Sequence, residues 1–226
     1  LTAIQCAGTL PPQETGLTCN SWYGKFHLEM HWWHAAHFPL WGRVDYLERS
    51  LWWYKKILPK ARELASMQGY SGVRWPKMVG PEGLDSPSSI GPLLIWQQPH
   101  PIWYAELCYR ARPTVQTLKT YSDIVFETAE FMASFAVWDA EKDRYVLGPP
   151  VIPAQENHKP EETINPAFEL EYWHFGLKLA NRWRQRLGMD IDTKWEDVAN
   201  NLASLPVDKG VYLAHENCPD TYIRFN

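Results

Sequence analysis

From Val44 onward, apolar side chains recur at Val44, Leu47, Leu51, Tyr54, Leu58 and Ala61, in steps that alternate between three and four. That rhythm places one apolar stripe along a helix. Pro59 lies inside the run and predicts a kink or an early end, since it lacks an N–H and crowds the carbonyl four residues back. Helical patterning resumes over 102–111. A long helix then starts near Pro113, a residue suited to the first helical position, and carries the stripe Leu118, Tyr121, Val125, Thr128, Met132 and Phe135. Asn165 and Pro166 predict the cap and first turn of another long helix with the stripe Phe168, Tyr172, Phe175, Leu179 and Trp183. Gly188 suits the C-terminal cap of that helix. Thr193 and Glu196 fit a capping box opening a last helix to about Leu205.

Between these stripes lie long stretches of turn formers. Residues 1 to about 24 show no period and read as a loop or a lead-in, leaving 25–226 as the folded unit. The Gly/Pro/Ser-rich segment 69–92 and the segment 140–163 are too long for simple connectors, and such loops usually cover or build a site. Strand-like alternation is confined to short pieces at 145–147 and 211–213. The fold class predicted is all-α, in helix pairs joined by long loops on one side. Nested helix pairs build toroids and solenoids, whose loops line a funnel at one end.

Composition adds one thing to this picture. A net charge of −4 offers no electrostatic reason to expect nucleic acid or an anionic membrane as partner. No apolar run approaches the roughly 20 residues needed to span a bilayer. The chain opens on Leu1 with no signal peptide, so it is expected to be a processed or cut piece of something longer. The 13 Trp, with 11 Tyr and 8 Phe, fit either a heavily packed aromatic core or a cleft in which indoles stack on sugar faces. The four cysteines (Cys6, Cys19, Cys108, Cys218) lack the paired short spacing of a zinc site. Cys6 and Cys19 bracket a turn-rich segment that a disulfide would staple, as suits an exported protein; four thiols fit equally well.

Three strings carry candidate chemistry. In Lys25-Phe26-His27-Leu28-Glu29-Met30-His31-Trp32-Trp33-His34, polar residues alternate with apolar ones. An extended backbone would turn Lys25, His27, Glu29 and His31 to one side. The histidines invite a metal reading, but no Asp-rich or Cys partner motif accompanies them, and a saccharide-binding wall including Trp33 fits the donors, acceptors and indoles better. Trp96-Gln97-Gln98-Pro99-His100-Pro101 displays an indole, amides and an imidazole on a proline-stiffened loop, with Trp96, Gln97 and His100 as candidate contacts. In Pro149-Pro150-Val151-Ile152-Pro153-Ala154-Gln155-Glu156-Asn157-His158, a carboxylate follows a stiffened loop. A Glu in a confined aromatic pocket has its pKa raised by desolvation, as a general acid requires. Glu169, in the first turn of the next helix, is either a second site carboxylate or a residue favoured there by the helix dipole.

Together these strings resemble the six-hairpin glycosidase superfamily, with the closest likeness to glycoside hydrolase family 95 and its uncharacterised relatives. Met30-His31-Trp32-Trp33-His34-Ala35 is similar to the second half of that family's Asn-Ile-Asn-x-x-Met-Asn-Tyr-Trp-Pro-Ala string. Pro153-Ala154-Gln155-Glu156-Asn157 is similar to its Pro-Ser-x-Ser-Pro-Glu-Asn string, which bears the general acid. Pro166-Ala167-Phe168-Glu169 is similar to the Pro-x-Met-Asp that follows. The likeness runs in order from about residue 20 to 175.

The resemblance implies an (α/α)6 toroid and a general-acid role for Glu156. Lys25 and His27 stand where the family has the two Asn that position the attacking water, so fucose specificity is not expected. A full toroid has twelve helices and needs on the order of 350 residues. This chain is therefore expected to be about half of one, with the rest supplied by the same longer polypeptide. The expected activity is inverting hydrolysis of an oligosaccharide or polysaccharide, with Glu156 protonating the leaving oxygen and Asn157 and Glu169 orienting it or binding a hydroxyl. No metal or organic cofactor is expected. A periplasmic or secreted location follows from the resemblance and the cysteines. The alternatives are a polysaccharide lyase or glycoside phosphorylase on the same fold, or a non-catalytic carbohydrate-binding helical domain.

Overall fold

The computed structural model describes residues 25–224, so the lead-in and the Cys6–Cys19 pair lie outside the described residues. Strand β1 (Phe26–His27) leads into α1 (Leu28–Ala35), the short α2 (His37–Leu40) and the long α3 (Val44–Met67). After β2 (Met78–Val79) and a 3-10 turn come α4 (His100–Ala111), α5 (Val115–Phe135), β3 (Val137–Asp139) and β4 (Arg144–Val146). The chain ends in α6 (Ala167–Arg186), α7 (Thr193–Asn200), β5 (Val207–Asp208), β6 (Val211–Tyr212) and α8 (Thr221–Arg224). Each main helix packs on the next, α3 on α4 through to α6 on α7, and the strands form three antiparallel pairs, β1–β2, β3–β4 and β5–β6. The fold is mainly helical, as the stripes predict. Among the described residues no helix is long and apolar enough to cross a membrane.

Helix α3 buries Val44, Leu47, Leu51, Tyr54, Leu58 and Ala61, all the positions of the predicted stripe. It runs on through Pro59 to Met67, contrary to the expected early end. Pro59 is exposed on the outer face, where water can take up the carbonyl that loses its helical partner. Pro113, by contrast, stands outside its helix: Thr114 is the cap of α5, and its hydroxyl accepts the Thr117 N–H at 3.1 Å. Asp192, not Thr193, caps α7, accepting from the backbone N–H groups of Lys194 and Trp195. Asn165 does not cap α6. Its side chain accepts from Leu147 N and donates to Glu216 instead, and Pro166 takes the cap position.

The largest correction concerns α6. Leu179 and Trp183 of the expected stripe are buried, together with Leu170, Trp173, Leu177 and Ala180, whereas Phe168 is half exposed and Tyr172 and Phe175 are only partly buried. The two apolar faces adjoin on the helix, so aromatic content alone points to the wrong one. Gly188 ends the helix with a positive φ of 72°, as expected.

The long loop after α3 is ordered by a dense set of polar contacts. Gly72 crosses α5 so closely that a Cβ there would lie 2.3 Å from the Glu127 carbonyl oxygen, while Val73 N donates to that same carbonyl. The buried Arg74 guanidinium donates to the carbonyls of Pro92 and Leu94 and to Gln98 Oε1. Gln98 also accepts the Trp75 N–H and donates to Val73 O. Gln97, expected on a sugar-binding wall, is buried instead and donates to the carbonyls of Trp75 and Leu94. It fastens the loop, because buried backbone carbonyls need donors.

Candidate active site

The carboxylate loop is closed at its base. Asn165 N donates to Leu147 O at 2.9 Å, and Val151 N donates to Pro160 O at 3.2 Å. Ile152 N donates to Leu93 O at 2.9 Å, which ties the loop to the segment just before α4. Ahead of the tip, Ala154 N donates at 2.8 Å to Glu169 Oε1 from the first turn of α6. Glu169 is 1% exposed, and burial pushes its carboxyl up to about 7, outweighing the hydrogen bonds to its charged form. Glu156 then sits in a turn with a φ of 60°, its N–H donating to Pro153 O.

From this tip the Glu156 carboxylate reaches back to the first motif. Lys77 Nζ donates to Glu156 Oε1 at 2.5 Å and lies 3.4 Å from Glu29 Oε1. Glu29 is buried, and its other near neighbour is His27 Nδ1 at 3.5 Å. Burial opposes the charge on Lys77. The two carboxylates outweigh it and hold the ammonium above the usual lysine value. One cation therefore joins two carboxylates from elements 127 positions apart in the chain, Glu29 in α1 and Glu156 in the loop. Backbone pairing sets this up: β1 pairs with β2, His27 opposite Met78, and Leu28 N donates to Lys77 O.

Beside the loop lies an aromatic cavity of about 360 Å³, lined by Trp32, Trp33, Trp96, His100, Phe168, Glu171, Tyr172 and Phe175. A wider recess of about 830 Å³ shares Phe168 and Glu171 with it and adds Gln155, Asn157 and His158 from the carboxylate loop. Glu156 stands between two residues that line the recess but lines neither space itself. Its side chain is about a third exposed and paired with Lys77, not enclosed in the confined aromatic pocket expected from the sequence. The aromatic rings interlock: Trp32 packs against His100, Trp103 and Tyr172, and Trp96 meets Phe168 edge-on. His100 Nδ1 shares a hydrogen bond with Tyr172 Oη at 2.9 Å, and burial drops the imidazole to about 3, so it is neutral at ordinary pH.

The predicted residues therefore divide. Glu29, Glu156 and Glu169 converge on one loop; His27 joins them through Glu29, and Lys25 directly precedes β1. Trp33, Trp96 and His100 line the aromatic cavity, and Asn157 lines the recess. His31 does not face it. The first motif turns helical at Leu28, so the expected extended alternation stops there and His31 points into the core. Ser50 donates its hydroxyl hydrogen to Leu47 O, so at His31 it must accept from Nε2–H; Nδ1 then accepts from Tyr54 Oη. Lys77 is the residue that sequence reading misses. Its one signal is a lysine placed between Trp75-Pro76 and the apolar Met78-Val79. Trp32 stands in the first motif but is passed over for Trp33, and Tyr172 is read as a buried stripe position of α6.

Helices packed in sequential pairs, with the carboxylate loop, the start of α6 and the segment after α7 gathered round one recess, define part of an (α/α) toroid. A solved structure described as "Putative kojibiose phosphorylase from human microbiome" superposes on 95% of this chain with a TM-score of 0.74 at 12% sequence identity. At that identity the likeness establishes the fold. The chain spans 31% of that protein's length, as expected for part of a toroid. No protein-family model matches the chain. No curated protein sequence matches it either.

Proposed function

We propose that this chain carries the acid side of a glycosidic-bond-cleaving site, with Glu156 as general acid. The observation that carries the reading is the position of Glu156, on a loop closed at its base and flanked by residues of a recess that adjoins a cavity of indole and phenyl rings. Protonated Glu156 delivers its proton to the leaving glycosidic oxygen. The Lys77 ammonium, already hydrogen-bonded to Glu156, stabilises the carboxylate left behind. Water attacks the anomeric carbon from the opposite face and gives inversion. The group that activates the water belongs to the rest of the toroid, supplied by a longer polypeptide.

The sugar stacks on the aromatic cavity, where Trp33, Trp96 and Phe168 offer ring faces and edges. Lys25 and Asn157 supply hydrogen bonds to hydroxyls, while the buried His27 and Glu29 hold Lys77 from behind. Glu169 is a positioning residue, holding Ala154 two residues ahead of the acid. His31 and Gln97 support the wall from behind. These protein groups suffice for the reaction without a metal or an organic cofactor.

The name of the structural neighbour favours a second reading, in which inorganic phosphate replaces water as the attacking group. One experiment separates the two. The longest available form of the protein, wild type and Glu156→Gln, is screened against oligosaccharides with and without inorganic phosphate. Free sugar that forms without phosphate and disappears in the variant supports hydrolysis; sugar 1-phosphate that requires phosphate supports phosphorolysis. Saccharide binding with no turnover in either condition would favour a non-catalytic binding domain, and full activity in the variant would remove Glu156 from the acid role.

A further inference from the structure

Just beyond the acid, three potential metal ligands converge. Ligand atoms of His158, His215 and Cys218 all lie within 4.8 Å of one another. His158 is two residues past Glu156. His215 and Cys218 come from a turn near the C-terminus, in which Cys218 N donates to His215 O at 3.0 Å and brings both side chains to one side. Cysteine spacing alone hides this group, because its short pair is His215-x-x-Cys218 and its third member lies 57 positions upstream.

The backbone around these residues is already fixed. Glu216 N donates to Ile164 O, Asn217 Nδ2 donates to Glu162 O, and the Glu216 carboxylate accepts from Lys142, Arg144 and Asn165. His215 is 4% exposed, and its buried Nδ1 has no hydrogen-bond partner among the described residues, a costly state that a bound cation would relieve. Asp220 stands beside the group, its Oδ1 accepting from Cys218 Sγ at 3.5 Å.

We infer that His158, His215 and Cys218, with Asp220 or water in the fourth position, form a tetrahedral site for a borderline-soft divalent cation, with zinc as the best fit. Imidazole, thiolate and carboxylate are the ligand types zinc takes. At ordinary zinc–ligand bond lengths the donors stand about 3.5 Å apart, so side-chain shifts of about 1 Å close the site. On binding, the Cys218 thiol releases its proton and the thiolate coordinates. The cation then clasps the acid-bearing loop to the C-terminal turn. It takes no part in the glycosidic chemistry, so metal binding and catalysis stand or fall separately.

The test uses the whole chain, stripped with a chelator and titrated with Co²⁺ and then with Zn²⁺ in competition. One equivalent of Co²⁺ is expected, with tetrahedral visible bands and a near-ultraviolet thiolate-to-cobalt charge-transfer band that Zn²⁺ abolishes. Cys218→Ser should lose the charge-transfer band. His158→Ala, on a half-buried loop position and so the safer variant for folding, should weaken binding at least tenfold. Zinc should raise the thermal midpoint of the wild type but not of a folded Cys218→Ser protein. A charge-transfer band that survives Cys218→Ser, wild-type affinity in His158→Ala, or no saturable binding would each overturn the site.

Discussion

Lys77 Nζ stands 2.5 Å from Glu156 Oε1 and 3.4 Å from Glu29 Oε1, so a single ammonium separates two carboxylates. Glu29 is buried and fixed in α1, whereas Glu156 rides on the loop, so Lys77 sets where the loop's carboxylate rests. Lys77→Met keeps the length of the stem and removes the charge. Losing the contact to Glu156, about a third exposed, costs about 1 kcal/mol. The buried Glu29 also loses its cation, so the expected stability loss is about 3 kcal/mol. Turnover should fall at least tenfold once a substrate is known, because the acid loses its fixed partner. Parallel thermal melts and initial rates decide this, and a rate within twofold of wild type would show that Lys77 does not position the acid.

Glu169 makes stability depend on pH in a defined direction. Its folded carboxyl, pushed up to about 7 by burial, holds its proton more tightly than the unfolded chain does. The resulting stabilisation is fully present below the usual glutamate value near 4.5 and is lost as pH rises through about 7, at most about 3 kcal/mol in all. Glu169→Gln keeps the acceptor for Ala154 N and removes the titration. The variant should equal wild type near pH 5 and exceed it at pH 8 in urea midpoint. Identical pH profiles for the two proteins would mean that Glu169 is ionised at no unusual cost.

The histidines impose the opposite slope on the acid side. His31 and His100 are buried and neutral, each dropped to about 3 by desolvation. Unfolding exposes them to protonation below about 6.5. Their contribution, on the order of 4 kcal/mol each at full extent, is present above that pH and lost as pH falls towards 3. In two-dimensional NMR their ring signals should stay in the neutral form from pH 8 to 5, with the His31 proton on Nε2. A midpoint near 6.5 for either ring would contradict its burial.

How far the residues announce this arrangement depends on whether a feature is local. Periodicity reveals α3 and α5 because their buried stripes face one core. On α6 it misassigns the faces, since Phe168, Tyr172 and Phe175 are aromatic for a cavity and Leu170, Trp173 and Leu177 are apolar for the core. Motif strings find Glu156 and Glu29 separately, but nothing local says that they meet. Lys77 joins them through the β1–β2 pairing, a contact 79 positions long from Lys77 to Glu156. Alternation fails at His31 for a related reason: an extended reading of the first motif holds only until the chain turns helical at Leu28. The His158, His215 and Cys218 cluster is equally non-local.

Away from the site, Glu106 should be the most costly carboxylate to remove. It is 1% exposed in α4, where burial works against its charge, yet hydrogen bonds from Arg186, Arg110 and Trp183 hold it below the usual carboxylate range. Those partners reach it at 2.5–3.2 Å and join α4 to α6 across the core, and deleting the carboxylate leaves a buried indole N–H and a guanidinium without acceptors. Glu106→Ala is therefore expected to cost about 3–5 kcal/mol. The solvent-exposed pair Lys60–Glu63 on α3 has an equally short contact of 2.7 Å, and Glu63→Ala should cost under about 0.5 kcal/mol, because water replaces what is lost. Urea midpoints of the two variants test whether burial, rather than contact distance, sets the worth of an ion pair in this fold. Equal losses would refute that ranking.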